Sequence, residues 1–192
     1  LNSDIIYTSW LIPTSGTTGK PKFVVHSLSS LTSSMKKNAT KTKTPHWGLL
    51  YDHSRFAGMQ VVLYSLFSGD TLLAPYNGLS LDDRIDFLAE KGCSHISTTP
   101  TLWRKIMMSE ACKKLQLEQI TLGGEAADDL VLKSLRAKFL NAKITHIYAS
   151  TEAGVGFSVT DEKAGFPAVY LDAAHQGVTL RIMQGKLYVR NN

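Results

Sequence analysis

The sequence predicts an α/β fold, a mainly parallel sheet with helices on both faces, followed by a small β-rich segment. Two observations predict it. Short apolar runs alternate with helix-period segments about five times between Trp10 and Tyr148. After Gly156 the alternation stops, and strand-like runs follow one another with no helical pattern between them.

Trp10 to Thr14 reads as the first strand, feeding the loop that follows. His26 to Asn38 carries apolar residues at Leu28, Leu31 and Met35, a helical spacing, and its early serines suit a helix start. Ala39 to Pro45 is a polar loop, and His46 to Tyr51 is a short buried strand. Phe56 to Phe67 is non-polar around most of its circumference, so a buried helix is expected there, ended by Gly69. Thr71 to Ala74 is a strand stopped by Pro75. Ser80 starts a helix carrying Ile85, Phe87 and Leu88, and Lys91-Gly92 ends it. Ser94 to Thr98 is a strand, and Pro100 opens a helix through Met108. Gln119 to Leu122 is a strand, Asp129 to Phe139 an amphipathic helix, and Lys143 to Tyr148 a strand. Ala168–Leu171, Val178–Ile182 and Lys186–Val189 read as short β segments.

Composition bounds the function. The 192 residues allow one domain or slightly more, enough to bury a core. A hydrophobic fraction of 43% with 19% charged residues is ordinary for a globular chain. The net charge of +5 is modest, and Lys36, Lys37, Lys41 and Lys43 form only a loose group. No basic stripe with interleaved aromatics is present, so nucleic acid is not an expected partner. Cys93 and Cys112 form no metal-binding spacing and read as buried thiols of a reducing compartment. No run reaches the length of a membrane span, and a soluble cytoplasmic protein is the expectation.

The chemistry concentrates in Thr14-Ser15-Gly16-Thr17-Thr18-Gly19-Lys20-Pro21-Lys22. Two glycines let backbone amides approach a ligand, while hydroxyls and ammonium groups add donors and charge. Such a loop suits phosphate. The Walker pattern fails, because Gly16 and Gly19 are three apart and Pro21 follows Lys20. The alternative is an ordinary Ser/Thr/Gly-rich surface turn.

The nine residues resemble the phosphate loop of the adenylate-forming superfamily, which includes acyl- and aryl-CoA synthetases, luciferases and peptide-synthetase adenylation domains. Tyr148-Ala149-Ser150-Thr151-Glu152, at the end of a strand, is similar to the superfamily's Y-G-x-T-E motif. Gly123-Gly124-Glu125-Ala126 is similar to its strand-end G-G-[EA] segment, and Ser97 to Leu102 to its V-P-T segment. The run Phe56 to Gly69 resembles the o-succinylbenzoate-CoA ligase type, with Arg55 where that type has His. Tyr51-Asp52-His53-Ser54 also resembles the F-D-x-S stretch of amino-acid-activating domains, so both alignments stay open.

The resemblance implies an ATP-dependent ligase that joins a carboxylic acid to AMP and then to a thiol, of coenzyme A or a carrier protein. It implies that Thr14, Ser15, Gly16, Thr17, Thr18 and Gly19 hold phosphate, with Lys22 beside them. Gly124, Glu125 and Ala126 would frame adenine, and Tyr148 would stack on it. Thr151 would reach the α-phosphate and Glu152 would hold Mg²⁺, suited to a hard carboxylate. Thr151, Glu152 and Lys22 are thus the expected catalytic residues. Arg55, Gly123 and Ala149 are expected to line the acid's pocket, Ala149 narrowing it where the family has Gly. The expected organisation is a nucleotide-binding subdomain over 1–156 and a partial β-rich segment over 157–192. The family's T-G-D motif, hinge and C-terminal lid with its catalytic lysine are not in these residues, so weak adenylation by this chain alone is expected. A non-catalytic nucleotide-binding domain of the same fold is the other expectation.

Overall fold

A computed structural model describes residues 8–14, 22–35 and 43–191. The chain opens with β1 (Trp10–Pro13) and β2 (Phe23–His26), an antiparallel pair in which Trp10 faces His26 and Pro13 faces Phe23. This corrects one expectation. The Thr14–Lys22 stretch joins two strands rather than a strand and a helix, because Val24-Val25 favour extended backbone and pair with Ile12 and Leu11. The helix expected from His26 starts at Leu28: α1 (Leu28–Thr32) is capped by Ser27 and Ser30 in a reciprocal capping box. It is also shorter than expected. Thr32 and Ser33 donate their hydroxyls back to Leu28 O and Ser30 O, a bonding that competes with helix continuation.

The centre is a six-stranded sheet in the order β4-β3-β5-β6-β7-β8. Its strands are β3 (His46–Leu49), β4 (Thr71–Leu73), β5 (His95–Thr98), β6 (Gln119–Leu122), β7 (Lys143–Ser150) and β8 (Gly154–Val159). All neighbours are parallel except β7 with β8. In β6, Ile120, Thr121 and Leu122 are buried in succession. Successive side chains point to opposite faces, so both faces are covered. The connecting helices are α2 (Phe56–Ser68), α3 (Leu81–Glu90), α4 (Pro100–Met108) and α5 (Asp129–Lys138).

Local chemistry sets the helix ends. Ser80, Thr99 and Asp128 cap α3, α4 and α5 by accepting from Asp83, Leu102 and Val131 amides. Pro100 stands at the start of α4, where its missing N–H costs nothing. Gly69 closes α2 at φ 65°, a left-handed conformation that glycine reaches without strain. Gly58 lets α2 lie against the turn before it: a Cβ there would fall 2.1 Å from Asp52 O.

The main core gathers Ile85, Leu88, Ile96, Trp103, Ile106, Ile120, Leu122, Leu132, Leu135 and Ile144. Trp103 is fully buried and donates its Nε1–H to Thr121 O at 3.0 Å. A second core of Phe157, Val159, Val178 and Leu180 seats β9 (Val178–Met183) and β10 (Lys186–Asn191), an antiparallel pair, beside β8. A third holds Ile12, Leu31 and Phe56.

Three further expectations are corrected. Ala168–Leu171 is a 3-10 helix, not a strand; Pro167 precedes it, and Tyr170 and Leu171 pack on the second core. β8 was not expected. The helix at Phe56 buries Phe56, Gly58, Val61 and Ser65 but leaves Leu66 68% and Phe67 43% exposed, so only one side of it is covered.

Candidate functional site at the carboxyl ends of the sheet

The parallel strands present their carboxyl ends on one edge, where ligands of open α/β sheets sit. The strand order reverses between β3 and β5, yet the cleft lies further along, at the ends of β6 and β7. It has a volume of about 210 Å³ and is lined by Gly124, Glu125, Ala126, Ala127, His146, Ile147, Tyr148 and Ala149. The structure therefore brings Gly124 to Ala126 together with Tyr148 and Ala149. Gly123 and Arg55 do not line it.

β6 ends in Gly123-Gly124. Gly124 adopts φ 79°, which carries the chain across the cleft floor. Gly123 O accepts the Tyr51 hydroxyl at 3.1 Å, tying this turn to the end of β3, and burial pushes the Tyr51 phenol far up. The Glu125 side chain turns away to α4: its carboxylate accepts from Thr101 N at 3.1 Å and Thr101 Oγ1 at 2.6 Å. Burial acts to raise its carboxyl, but the bonds from Thr101 and Thr99 outweigh it and hold it low. That leaves the Glu125 backbone, not its charge, facing a ligand.

β7 is longer than the sequence suggests. Ala149 and Ser150 lie within the strand rather than after it, because β8 pairs with them, Ala149 with Val155 and Ser150 with Gly154. The register shifts between Tyr148 and Ala149, a bulge that redirects side chains at the cleft. One face of the Tyr148 ring stacks on Phe157, with centroids 4.5 Å apart and planes 12° from parallel. Phe166 meets it edge-on at 5.7 Å.

His146 is the residue that sequence reasoning missed. It precedes Tyr148 by two on the same strand, so both point to one face. It is 4% exposed, and its Nε2 has no hydrogen-bond partner among the described residues. Burial lowers its imidazole, so the neutral form is favoured. No sequence motif marks it, since Lys143, Thr145 and Ser150 of the same strand are polar too. A buried orphan nitrogen beside an open cleft suits a polar heteroaromatic ligand, because such an atom is costly until bonded.

The strand then turns. Ser150 Oγ accepts the Ala153 amide at 3.0 Å, and Glu152 at the turn is exposed. No cluster of three metal-ligating side chains occurs among the described residues. A single exposed carboxylate fits Mg²⁺, which keeps several waters and leans on phosphate oxygens.

Across from the turn stands the β1–β2 hairpin. Thr14 N donates to Lys22 O at 2.8 Å, and Lys22 N to Thr14 Oγ1 at 3.3 Å, closing the mouth of the loop. Ser15, Gly16, Thr17, Thr18 and Gly19 lie outside the described residues. His26, at the end of β2, reaches the turn: its Nε2 lies 2.7 Å from Thr151 O. His26 pairs with Trp10 at the end of the hairpin away from the loop, so it is that end of the hairpin that meets the Glu152 turn.

Arg55 precedes α2 and is exposed. Asp52 Oδ1 accepts both the Ser54 amide and hydroxyl, at 2.8 and 2.7 Å, which holds its carboxyl low.

Comparison with known proteins agrees with this geometry. The AMP-binding enzyme family matches residues 7–188. N-(5-amino-5-carboxypentanoyl)-L-cysteinyl-D-valine synthase of Penicillium rubens is 30% identical over 157 residues, covering 77% of this chain and 4% of that protein. Nonribosomal peptide synthetase inpB of Emericella nidulans is 25% identical over 153 residues, 77% of this chain and 6% of that protein. Among solved structures, an E. coli MenE variant with bound OSB-AMS superposes with TM-score 0.68 at 20% identity, covering 94% of this chain and 38% of that one. The Klebsiella oxytoca NpsA N-terminal subdomain in complex with anthranilyl-AMSN gives TM-score 0.70 at 15% identity, over 94% of this chain and 50% of that one. The structural likenesses show the fold, and the chain spans a small part of its curated relatives. Fold, strand-end motifs and family match agree: the chain belongs to the AMP-binding enzyme family, whose members form acyl-adenylates.

Proposed function

We propose that this chain is the nucleotide-binding part of an ATP-dependent, carboxylate-activating ligase of the acyl- or aryl-CoA synthetase kind. The observation that supports it best is the cleft between Gly124–Ala127 and Tyr148–Ala149, beside which the hairpin that carries the Thr14–Lys22 mouth is bonded at its other end, through His26, to the turn that carries Glu152. Tyr148 offers a ring to adenine, and the Gly124–Ala126 backbone frames it. Thr14 to Gly19 and Lys22 hold the outer phosphates. Thr151 reaches the α-phosphate.

In the reaction, the acid's carboxylate oxygen attacks the α-phosphorus of ATP. A new O–P bond forms as the bond to pyrophosphate breaks; a thiol of coenzyme A or of a carrier protein then attacks the acyl carbon, forming a thioester as the bond to AMP breaks, AMP leaving and the thiol's proton passing to solvent. There is little covalent work for the protein, so its residues act by placing the phosphates and neutralising charge. Mg²⁺ held by Glu152 would supply part of that neutralisation. The acid's pocket would include Ala149 and Gly123, with Arg55 as an anion partner. On this reading 1–156 is the nucleotide-binding unit and 157–192 a β-rich adjunct. The two buried free thiols, Cys93 and Cys112, fit a reducing, cytoplasmic setting; among the described residues no helix is long and apolar enough to cross a membrane.

A second reading is an amino-acid-activating domain. It is favoured by the peptide-synthetase relatives and by Asp52, whose Oδ2 takes part in neither of the two bonds from Ser54. Titration with ATP·Mg²⁺ by calorimetry tests the shared claim: saturable binding supports it and no binding refutes it. ATP–pyrophosphate exchange across aryl, fatty and amino acids then separates the two readings.

A further inference from the structure

The hairpin that bears the loop mouth is not part of the main sheet. β1 and β2 form their own two-stranded sheet, and an isolated hairpin is marginal in water. Its outer face, Leu11, Phe23 and Val25, is exposed. Its inner side rests on the small third core of Ile12, Leu31 and Phe56, which Val155 of β8 also touches. Gln60 Nε2 of α2 donates to Leu31 O at 2.8 Å and steadies α1 behind it. None of these contacts reaches residues 151–152, so none of them fixes the hairpin against the Glu152 turn directly.

His26 does. It is 7% exposed, with its ring 5.7 Å from Phe56 at 33°. Its Nε2 meets Thr151 O at 2.7 Å, across 125 residues of sequence. A carbonyl only accepts, so Nε2 carries the proton. Its Nδ1 lies 3.1 Å from Ser30 Oγ, a second contact that aims the ring. Ser30 is in turn held by the capping box of α1.

We propose that His26 is a positioning residue that pins the β1–β2 hairpin, at its end away from the Thr14–Lys22 loop, to the Thr151–Glu152 turn and so holds the two strands that lead into and out of that loop against that turn. The pin itself rests on the geometry; its effect on nucleotide binding rests on the ATP-binding reading above.

The variants are His26→Phe, which keeps the ring on Phe56 and leaves Thr151 O unpaired, and His26→Gln, whose amide restores a donor. Hydrogen exchange on the ligand-free chain is the first measurement. In His26→Phe, exchange in 23–26 and 151–155 should rise about tenfold, in keeping with one lost buried hydrogen bond, while β6 stays at its wild-type rate. His26→Gln should return both segments towards wild type. Unchanged exchange in the two segments overturns the proposal, and so does an equal rise in β6, which would mean a general loss of stability.

The second measurement is calorimetric binding of ATP·Mg²⁺ and of AMP. His26→Phe should weaken ATP·Mg²⁺ by about tenfold and AMP by less than about twofold, because AMP lacks the outer phosphates. Equal weakening of the two overturns the coupling. If the wild type binds neither nucleotide, the function proposed above fails, and the exchange measurement alone decides the pin.

Discussion

Replacing Tyr148 by Ala isolates the base-binding half of the cleft. The ring stacks on Phe157 at 4.5 Å and 12°, and meets Phe166 and His146 edge-on at 5.7 and 5.9 Å. Its loss costs both a packing surface and a platform for a purine. Stacking of a base on an aromatic ring is worth about 1–3 kcal/mol, so AMP affinity should fall by roughly 5- to 150-fold. Loss of the aromatic contacts should also lower stability by about 1–2 kcal/mol, because the ring is only half-buried. Tyr148→Phe keeps the stack, and AMP affinity should stay within about threefold of wild type. Calorimetry gives the affinities, and urea unfolding of the same samples gives stability. Wild-type AMP binding by Tyr148→Ala would refute the stacking role. So would an equal loss of affinity in Tyr148→Phe and Tyr148→Ala, because the hydroxyl rather than the ring would then carry binding.

Other outcomes follow from the same geometry. Trp103→Ala empties the main core and removes the bond to Thr121 O, and should cost about 3–5 kcal/mol in urea unfolding. Gly58→Ala places a methyl 2.1 Å from Asp52 O, so the 52–55 turn must move; a drop in thermal midpoint is expected, and an unchanged midpoint would show that the turn yields freely. His146 favours its neutral form in the folded state, so the contribution it makes is fully present above the ordinary imidazole value near ~6.5 and is lost as pH falls through the lowered folded value. Thermal unfolding of wild type should therefore weaken on acidification below about pH 6.5, and His146→Asn should flatten that part of the profile.

The sheet and its helices were legible because their signals agree at several levels. Ser80 and Pro100 announce α3 and α4, the amphipathic run from Asp129 announces α5, and Gly69 closes α2, each by a local signal that needs no tertiary context. What escaped were elements defined by their partners. β8 is glycine-containing and becomes a strand by pairing with β7, which carries Ala149 and Ser150 into the sheet with it. β2 is four residues long and exists by pairing with β1. Ala168–Leu171 has a strand-like composition, yet the packing of Tyr170 and Leu171 coils it into a 3-10 turn. At the site, Gly124, Tyr148 and Ala149 are found from their order along the chain and do share the cleft. Glu125 neighbours them as its sequence position implies, but its carboxylate serves the start of α4 through Thr101. His146 and His26 carry no motif; only burial and an interatomic distance across the fold reveal them.

The central claim is that the turn after β7 faces the phosphates of a nucleotide held in this cleft. Calorimetric titration of wild type and Glu152→Gln with ATP, each with and without Mg²⁺, tests it most directly. Glu152 is exposed, so the substitution should leave folding intact. Mg²⁺ is expected to tighten ATP binding by wild type, and this gain to shrink by about tenfold in Glu152→Gln, with Mg²⁺-free affinity unchanged. An identical Mg²⁺ gain in both proteins would contradict it.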